Sequence, residues 1–140
     1  MPKYIVFDWD NTLKKSANKC SLPISFFETQ RDTTLMIISA IRPSKLNLES
    51  LIIEVSRLGL KKYFTHPEDK PIIHSEYCKL GNIVICGYDK VETFITLTGV
   101  KYGEGKGVTF YDDEQVNIDN WVNALPGSEC FSTVDRILQS

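Results

Sequence analysis

The 140-residue chain has no long apolar run. No stretch approaches the roughly 20 residues that a membrane-spanning helix needs. The run Tyr4-Ile5-Val6-Phe7 ends at Asp8, too soon for the core of a signal peptide. C-x-x-C spacing is also missing. Cys20, Cys78, Cys86 and Cys130 stand far apart, which removes a zinc knuckle and leaves free thiols in a reducing, cytoplasmic compartment as the expectation. Neither sign of charge dominates: 16 basic and 18 acidic side chains give a net charge of −2, with no block of like charge. A dedicated nucleic-acid binder would carry a basic stripe, so that class is disfavoured, although a nucleic-acid end stays open as a substrate. There are only two histidines, His66 and His74; they share no ligand spacing and read as ordinary surface or loop residues. No repeat and no low-complexity linker interrupts the chain.

What is present fits one globular domain over residues 1–140, expected to be a monomer. Hydrophobic residues make up 42% and charged residues 24%, an ordinary soluble balance. Short apolar runs alternate with amphipathic segments, the mark of an α/β domain with a mainly parallel central sheet. Buried strands are predicted over residues 4–7, 35–38, 83–86 and 108–111, with a weaker one over 130–134. One helix is predicted from Leu48, Leu51, Ile52, Val55 and Leu58, closed by Gly59. A second follows from Val91, Phe94, Ile95 and Thr98, with Asp89 as N-cap and Glu92 three residues on. A third follows from Ile118, Trp121, Val122 and Leu125, stopped at Pro126-Gly127, with Trp121 in the core. Residues 13–33 read as a loop with a short helix near Phe26 and Phe27. Residues 63–81 have room for an extra strand or hairpin.

The ends of the apolar runs carry the chemistry. The first stops at Asp8-Trp9-Asp10-Asn11-Thr12, the second at Ser39, the fourth at Asp112-Asp113. Ligands of open parallel sheets bind beyond the carboxyl ends of the strands, so parallel neighbours would gather these groups at one edge. Carboxylates so gathered repel one another unless a cation lies among them, and all-oxygen donors suit Mg²⁺. Lys90 opens the helix after the third strand, where a cation opposes the helix dipole; such a broken local rule hints at function. Lys106 precedes a strand and belongs at the opposite edge. Taken singly, each group has a plain structural reading. Asp10-Asn11-Thr12 could be a turn, Asp112-Asp113 an N-cap pair, Ser39 a strand-end residue and Lys90 a solvated lysine. Their order along the chain is what singles them out.

The segment YIVFDWDNTL, Ser39 after LMII, Lys90, and VTFYDDEQVNI resemble, in order and spacing, the four motifs of the haloacid dehalogenase superfamily. The resemblance runs from Tyr4 to about Leu125. It is nearest to the small capless magnesium-dependent phosphatases, which share the Asp-Asp-Glu-x-x-Asn-Ile pattern found here from Asp112 to Ile118; Arg42 and Phe94 are also similar. It implies a Rossmann-like three-layer sandwich without a large cap. Residues 61–89 exceed what a minimal core needs and would form a small insertion or lid.

The implied activity is hydrolysis of a phosphomonoester through an aspartyl-phosphate. Asp8 is the nucleophile and Asp10 the general acid and base. Ser39 and Lys90 are the other catalytic residues. Trp9, Ser39, Ala40 and Lys90 bind phosphate. Mg²⁺ is held by Asp8, Asp10 through its main-chain carbonyl, Asp112 and Asp113, the last directly or through water. The implied partner is a phosphorylated small molecule or phosphoprotein. Two alternatives belong beside it: a phosphoprotein phosphatase of the RNA polymerase tail type, and a non-enzymatic phosphoryl-accepting module similar to a receiver domain.

Overall fold

Alternation along the strands decides the layering. In β1 (Lys3–Phe7), β4 (Thr33–Ala40) and β7 (Ile83–Cys86), successive side chains point to opposite faces of the sheet. Phe7, Leu35, Ile37, Ile83 and Ile85 enter one apolar cluster, and Val6, Met36, Ile38, Val84 and Cys86 enter another. Both faces of the sheet therefore need cover, and helices supply it. In this computed structural model, which describes residues 3–87 and 89–139, α1 (Ile24–Glu28), α2 (Lys45–Arg57) and α3 (Lys61–Phe64) bury Phe27, Leu48, Leu51, Val55 and Phe64 against the first face. On the second face α4 (Lys90–Thr98) and α5 (Gln115–Ala124) bury Val91, Phe94, Ile118 and Trp121. The ends of the expected 1–140 domain, and Tyr88 within the 61–89 segment, lie outside the described residues.

The chain is α/β with a mostly parallel seven-stranded sheet, ordered β5-β6-β7-β4-β1-β8-β9. Strands β7, β4, β1, β8 (Val108–Tyr111) and β9 (Glu129–Phe131) run parallel. The sheet is mixed, because β5 (Ile72–Ile73) and β6 (Tyr77–Leu80) add an antiparallel hairpin beside β7. Residues 61–87 thus supply α3, this edge hairpin and β7. From β1 the chain winds outward through β4 to β7; it then crosses through α4 to β8, on the other side of β1, and continues to β9. The winding direction reverses between β1 and β8, the point where an open sheet of this kind is expected to form a crevice at the carboxyl ends of the strands.

Most predicted elements are found, with some corrections. Residues 13–33 hold a small antiparallel hairpin, β2 (Lys14–Ser16) with β3 (Lys19–Cys20), besides the expected short helix. The last strand ends at Phe131, and the chain then forms α6 (Asp135–Leu138). Val122 lies on the solvent side of α5 at 45% exposure. Ser44 caps α2 by accepting from Asn47 N–H; Gly59 takes φ 76°, as a residue just past a helix end should. Asp89 caps α4 through Glu92 N–H.

At the edge opposite the crevice, Gly105 holds the α4–β8 connection against the α5–β9 connection. A Cβ there would collide with the Leu125 carbonyl oxygen and lie 2.6 Å from Ser128 N. Backbone cannot swing aside as a side chain does. Gly105→Ala is expected to lower stability by about 1–3 kcal/mol, the usual range for overpacking, read from urea unfolding midpoints.

Candidate active site

Asp8 is the first residue past β1. Its N–H bonds to Tyr111 O at 2.8 Å, carrying the β1–β8 pairing one step beyond the strand. Asp112 is the first residue past β8, and its N–H bonds to Phe131 O at 3.0 Å. The two carboxylates therefore flank the crevice where the winding reverses. β4 runs three residues beyond its last pairing with β1, to Ala40. That extension brings Ser39 to the same edge, 2% exposed, followed by exposed Ala40. Lys90 arrives as the first residue of α4.

Lys90 Nζ lies 2.7 Å from Asp8 Oδ1 and 2.7 Å from Asp112 Oδ2. Lys90 is 3% exposed, Asp8 8% and Asp112 0%, so both pairs are sheltered from water. Other bonds fix the carboxylates in turn. Asp112 Oδ1 accepts from Glu114 N–H at 2.9 Å and its Oδ2 accepts from Asn117 Nδ2 at 3.0 Å. Thr12 Oγ1 donates to Asp8 Oδ2 at 3.4 Å. Asp112, not Asp113, thus satisfies the start of α5, whose N-cap Glu114 makes no side-chain bond of its own. Lys90 is likewise oriented by Asp8 and Asp112.

One carboxylate oxygen from each of Asp8, Asp112 and Asp113 falls within 4.8 Å of the others. Two of the three residues are buried and Asp113 is exposed. Three carboxylates and one ammonium, all ionised, leave two negative charges, which one divalent cation would balance. The group could hold a metal ion: its donors are all oxygen and close enough to share one. The Asp10 carboxylate lies outside this group, with its side chain 60% exposed.

Electrostatics separates the members. Burial pushes the Asp8 carboxyl up from 3.8 to about 7, against the lowering pull of Lys90. Burial would also strip the proton from Lys90, but the charges of Asp8 and Asp112 outweigh it and its pKa is raised.

The turn that presents Asp10 is anchored from below. Trp9, Thr12 and Leu13 are buried, whereas Asp10 and Asn11 are exposed. Asn11 sits at the tip with φ 60°, a left-handed conformation that Asn tolerates better than most residues. Beneath it Glu54 of α2 accepts from Trp9 Nε1 at 2.9 Å and from Lys14 Nζ at 2.6 Å. Burial alone would raise Glu54, but the bonds from Lys14 and Trp9 prevail and its pKa is lowered. The bond to Glu54 raises Lys14. Glu54 and Lys14 escape sequence reasoning: they belong to no motif, and their contact spans 40 residues. Asn117 stands in the Asp-Asp-Glu-x-x-Asn-Ile pattern, and the fold gives it the bond to Asp112. His66 and His74 are exposed, Lys106 lies at the opposite edge beside Lys3 and Gly127, and all four thiols are free. No helix among the described residues is long and apolar enough to cross a membrane.

The raised Asp8 pKa makes stability depend on pH. Between pH 3.8 and about 7 the folded chain keeps a proton that the unfolded chain has lost, so stability falls as pH rises through that window. Asp8→Asn removes this titration. In metal-free protein its melting temperature relative to wild type is expected to be higher at pH 8 than at pH 5. Lys90→Met strands two buried carboxylates, and is expected to destabilise by about 3–5 kcal/mol at pH 8. Thermal melts of the three proteins at both pH values check both signs. No protein-family model matches this chain, and neither does any curated protein or solved structure.

Proposed function

We propose that the chain is a Mg²⁺-dependent phosphatase of the haloacid dehalogenase type, hydrolysing a phosphomonoester through an aspartyl-phosphate on Asp8. The observation that carries this reading is the Lys90 ammonium held between the Asp8 and Asp112 carboxylates at 2.7 Å from each. A nucleophile, a countercharge for phosphate and a carboxylate group fit for a hard cation meet in one crevice. The strand order supports a Rossmann-like three-layer sandwich. Four free thiols fit a cytoplasmic protein.

Asp8, Asp112 and Asp113 would hold the ion, with the Asp10 carbonyl. Bound there, Mg²⁺ would neutralise the repulsion between carboxylate and phosphate and keep Asp8 ionised. The chain's own residues do the rest. An Asp8 oxygen attacks phosphorus in line; the new O–P bond forms as the bond to the leaving oxygen breaks. Asp10, exposed beside the nucleophile, gives that oxygen its proton. In the second step Asp10 takes a proton from water, the water oxygen attacks phosphorus, and the Asp8–phosphorus bond breaks to release phosphate and restore the carboxylate. Lys90 holds positive charge at the crevice floor. The Ser39 hydroxyl and the main chain at Trp9 and Ala40 hold phosphoryl oxygens. Asn117 and Thr12 keep Asp112 and Asp8 in place.

Turnover of p-nitrophenyl phosphate should require Mg²⁺, vanish on chelation and return when the ion is restored. Asp8→Asn should abolish it while circular dichroism stays native. Asp10→Asn should slow hydrolysis of an alkyl phosphate by about 10²–10⁴-fold, the usual worth of acid–base catalysis. Full activity of Asp8→Asn, or turnover indifferent to divalent cations, would sink the proposal. A single lasting phosphorylation without turnover would favour the phosphoryl-accepting module.

A further inference from the structure

We propose that Glu54 is a positioning residue for Asp10, acting through Lys14 and Trp9. The inference rests on the reading of Asp10 as proton donor to the leaving group. Glu54 Oε1 accepts from Trp9 Nε1 at 2.9 Å and from Lys14 Nζ at 2.6 Å. One oxygen of α2 therefore holds the residue before Asp10 and the residue four places after it. Within the turn Leu13 N–H bonds to Asp8 O, and Thr12 and Lys14 N–H to Trp9 O, while Leu13 O accepts from Ser21 N–H just past β3. Those bonds set the shape of the turn, and Glu54 ties that shape to a helix packed on the core.

Charge gives the tie a second consequence. Lys14 Nζ lies 3.9 Å from Asp10 Oδ1 but 2.6 Å from Glu54 Oε1. Two carboxylates compete for one ammonium, and Glu54 holds it by the shorter contact. The Asp10 side chain is left 60% exposed, facing the solvent from which a leaving group must approach. Without the Glu54 charge, Lys14 would close on Asp10 and draw its carboxylate toward the β2–β3 hairpin. A general acid has to come within hydrogen-bond reach of the leaving oxygen, and a displacement of about 1 Å is enough to lose on the order of a hundredfold in rate.

Glu54→Gln keeps an acceptor for Trp9 and removes only the charge that holds Lys14. Its turnover of an alkyl phosphate, whose leaving oxygen needs a proton, is expected to fall about tenfold or more. With p-nitrophenyl phosphate, whose leaving group departs as a stable anion, the first-turnover burst of p-nitrophenolate, which precedes the step in which Asp10 takes a proton from water, should keep its rate within about twofold. Adding Lys14→Met to Glu54→Gln should restore the alkyl phosphate rate to within about threefold of wild type, since the competing ammonium is gone. In a crystal structure of Glu54→Gln, Lys14 Nζ should be within hydrogen-bond distance of Asp10. Equal losses in alkyl phosphate turnover and in the p-nitrophenolate burst, no restoration in the double variant, or Lys14 remaining clear of Asp10 would overturn the proposal. Wild-type turnover of the p-nitrophenyl ester tests the phosphatase reading separately. If it is absent, that reading fails and the role of Glu54 with it; an active wild type with equal losses removes Glu54 alone.

Discussion

A lysine ammonium shut between two carboxylates organises this molecule. Lys90 Nζ touches Asp8 and Asp112 in a setting where none of the three exceeds 8% exposure. Taking such charges out of water is costly, and their mutual attraction makes up for it only when the geometry is good and the remaining lone pairs are satisfied. Here most of those needs are met by Glu114 N–H, Asn117 and Thr12. What stays uncompensated is the burial of Asp8, which raises its pKa in spite of Lys90, with the neighbouring Asp112 charge adding to it. An all-apolar triad of similar volume would tend to stabilise the domain more. A fold that keeps the charged version at the ends of its central strands tolerates a local cost, which is the ordinary mark of a site shaped by function.

The topology makes that triad possible. Asp8 and Asp112 end strands that are neighbours in the sheet but are separated by most of the chain, because the path first builds β4 to β7 on one side of β1 and then returns to the other. The returning segment is α4, so its first residue lands at the crevice between them. Lysine is unfavourable at a helix N-terminus. Two carboxylates at 2.7 Å overturn that preference, and the helix dipole is a small term beside them.

These facts also explain how much could be read from the amino-acid sequence. β1, β4, β7 and β8 are buried on both faces and leave continuous apolar runs, and the polar residue ending each run marks the edge where chemistry collects. Asp8, Ser39 and Asp112 were legible for that reason, and Lys90 as a cation opening the helix after the third strand. The β2–β3 hairpin was not: Lys14–Ser16 and Lys19–Cys20 are too short and too polar to show alternation. The exit of the last strand into α6 was equally hidden, since Val134 is buried under α6 while the strand ends at Phe131. Glu54 is the clearest case. On α2 it is one acidic residue on a flank of the apolar stripe, as Glu49 is on the other flank. Only the fold brings Trp9 and Lys14 to it.

The spacing of Asp8 and Asp10 shows how local backbone gives two like side chains different surroundings. Residues two apart on a regular strand share a face, and a continued β1 would have sent both carboxylates the same way. The strand stops at Phe7 instead, and the chain turns through Asn11 at φ 60°. Trp9 and Leu13 are drawn into the core on either side of the tip. Asp8 is thereby fixed inward against Lys90, and Asp10 is carried outward beside Lys14. In the proposed two-step phosphoryl transfer the first carboxylate would have to stay still beside phosphorus, while the second would have to meet a leaving group and then a water. A turn rigid at its base and exposed at its tip provides both.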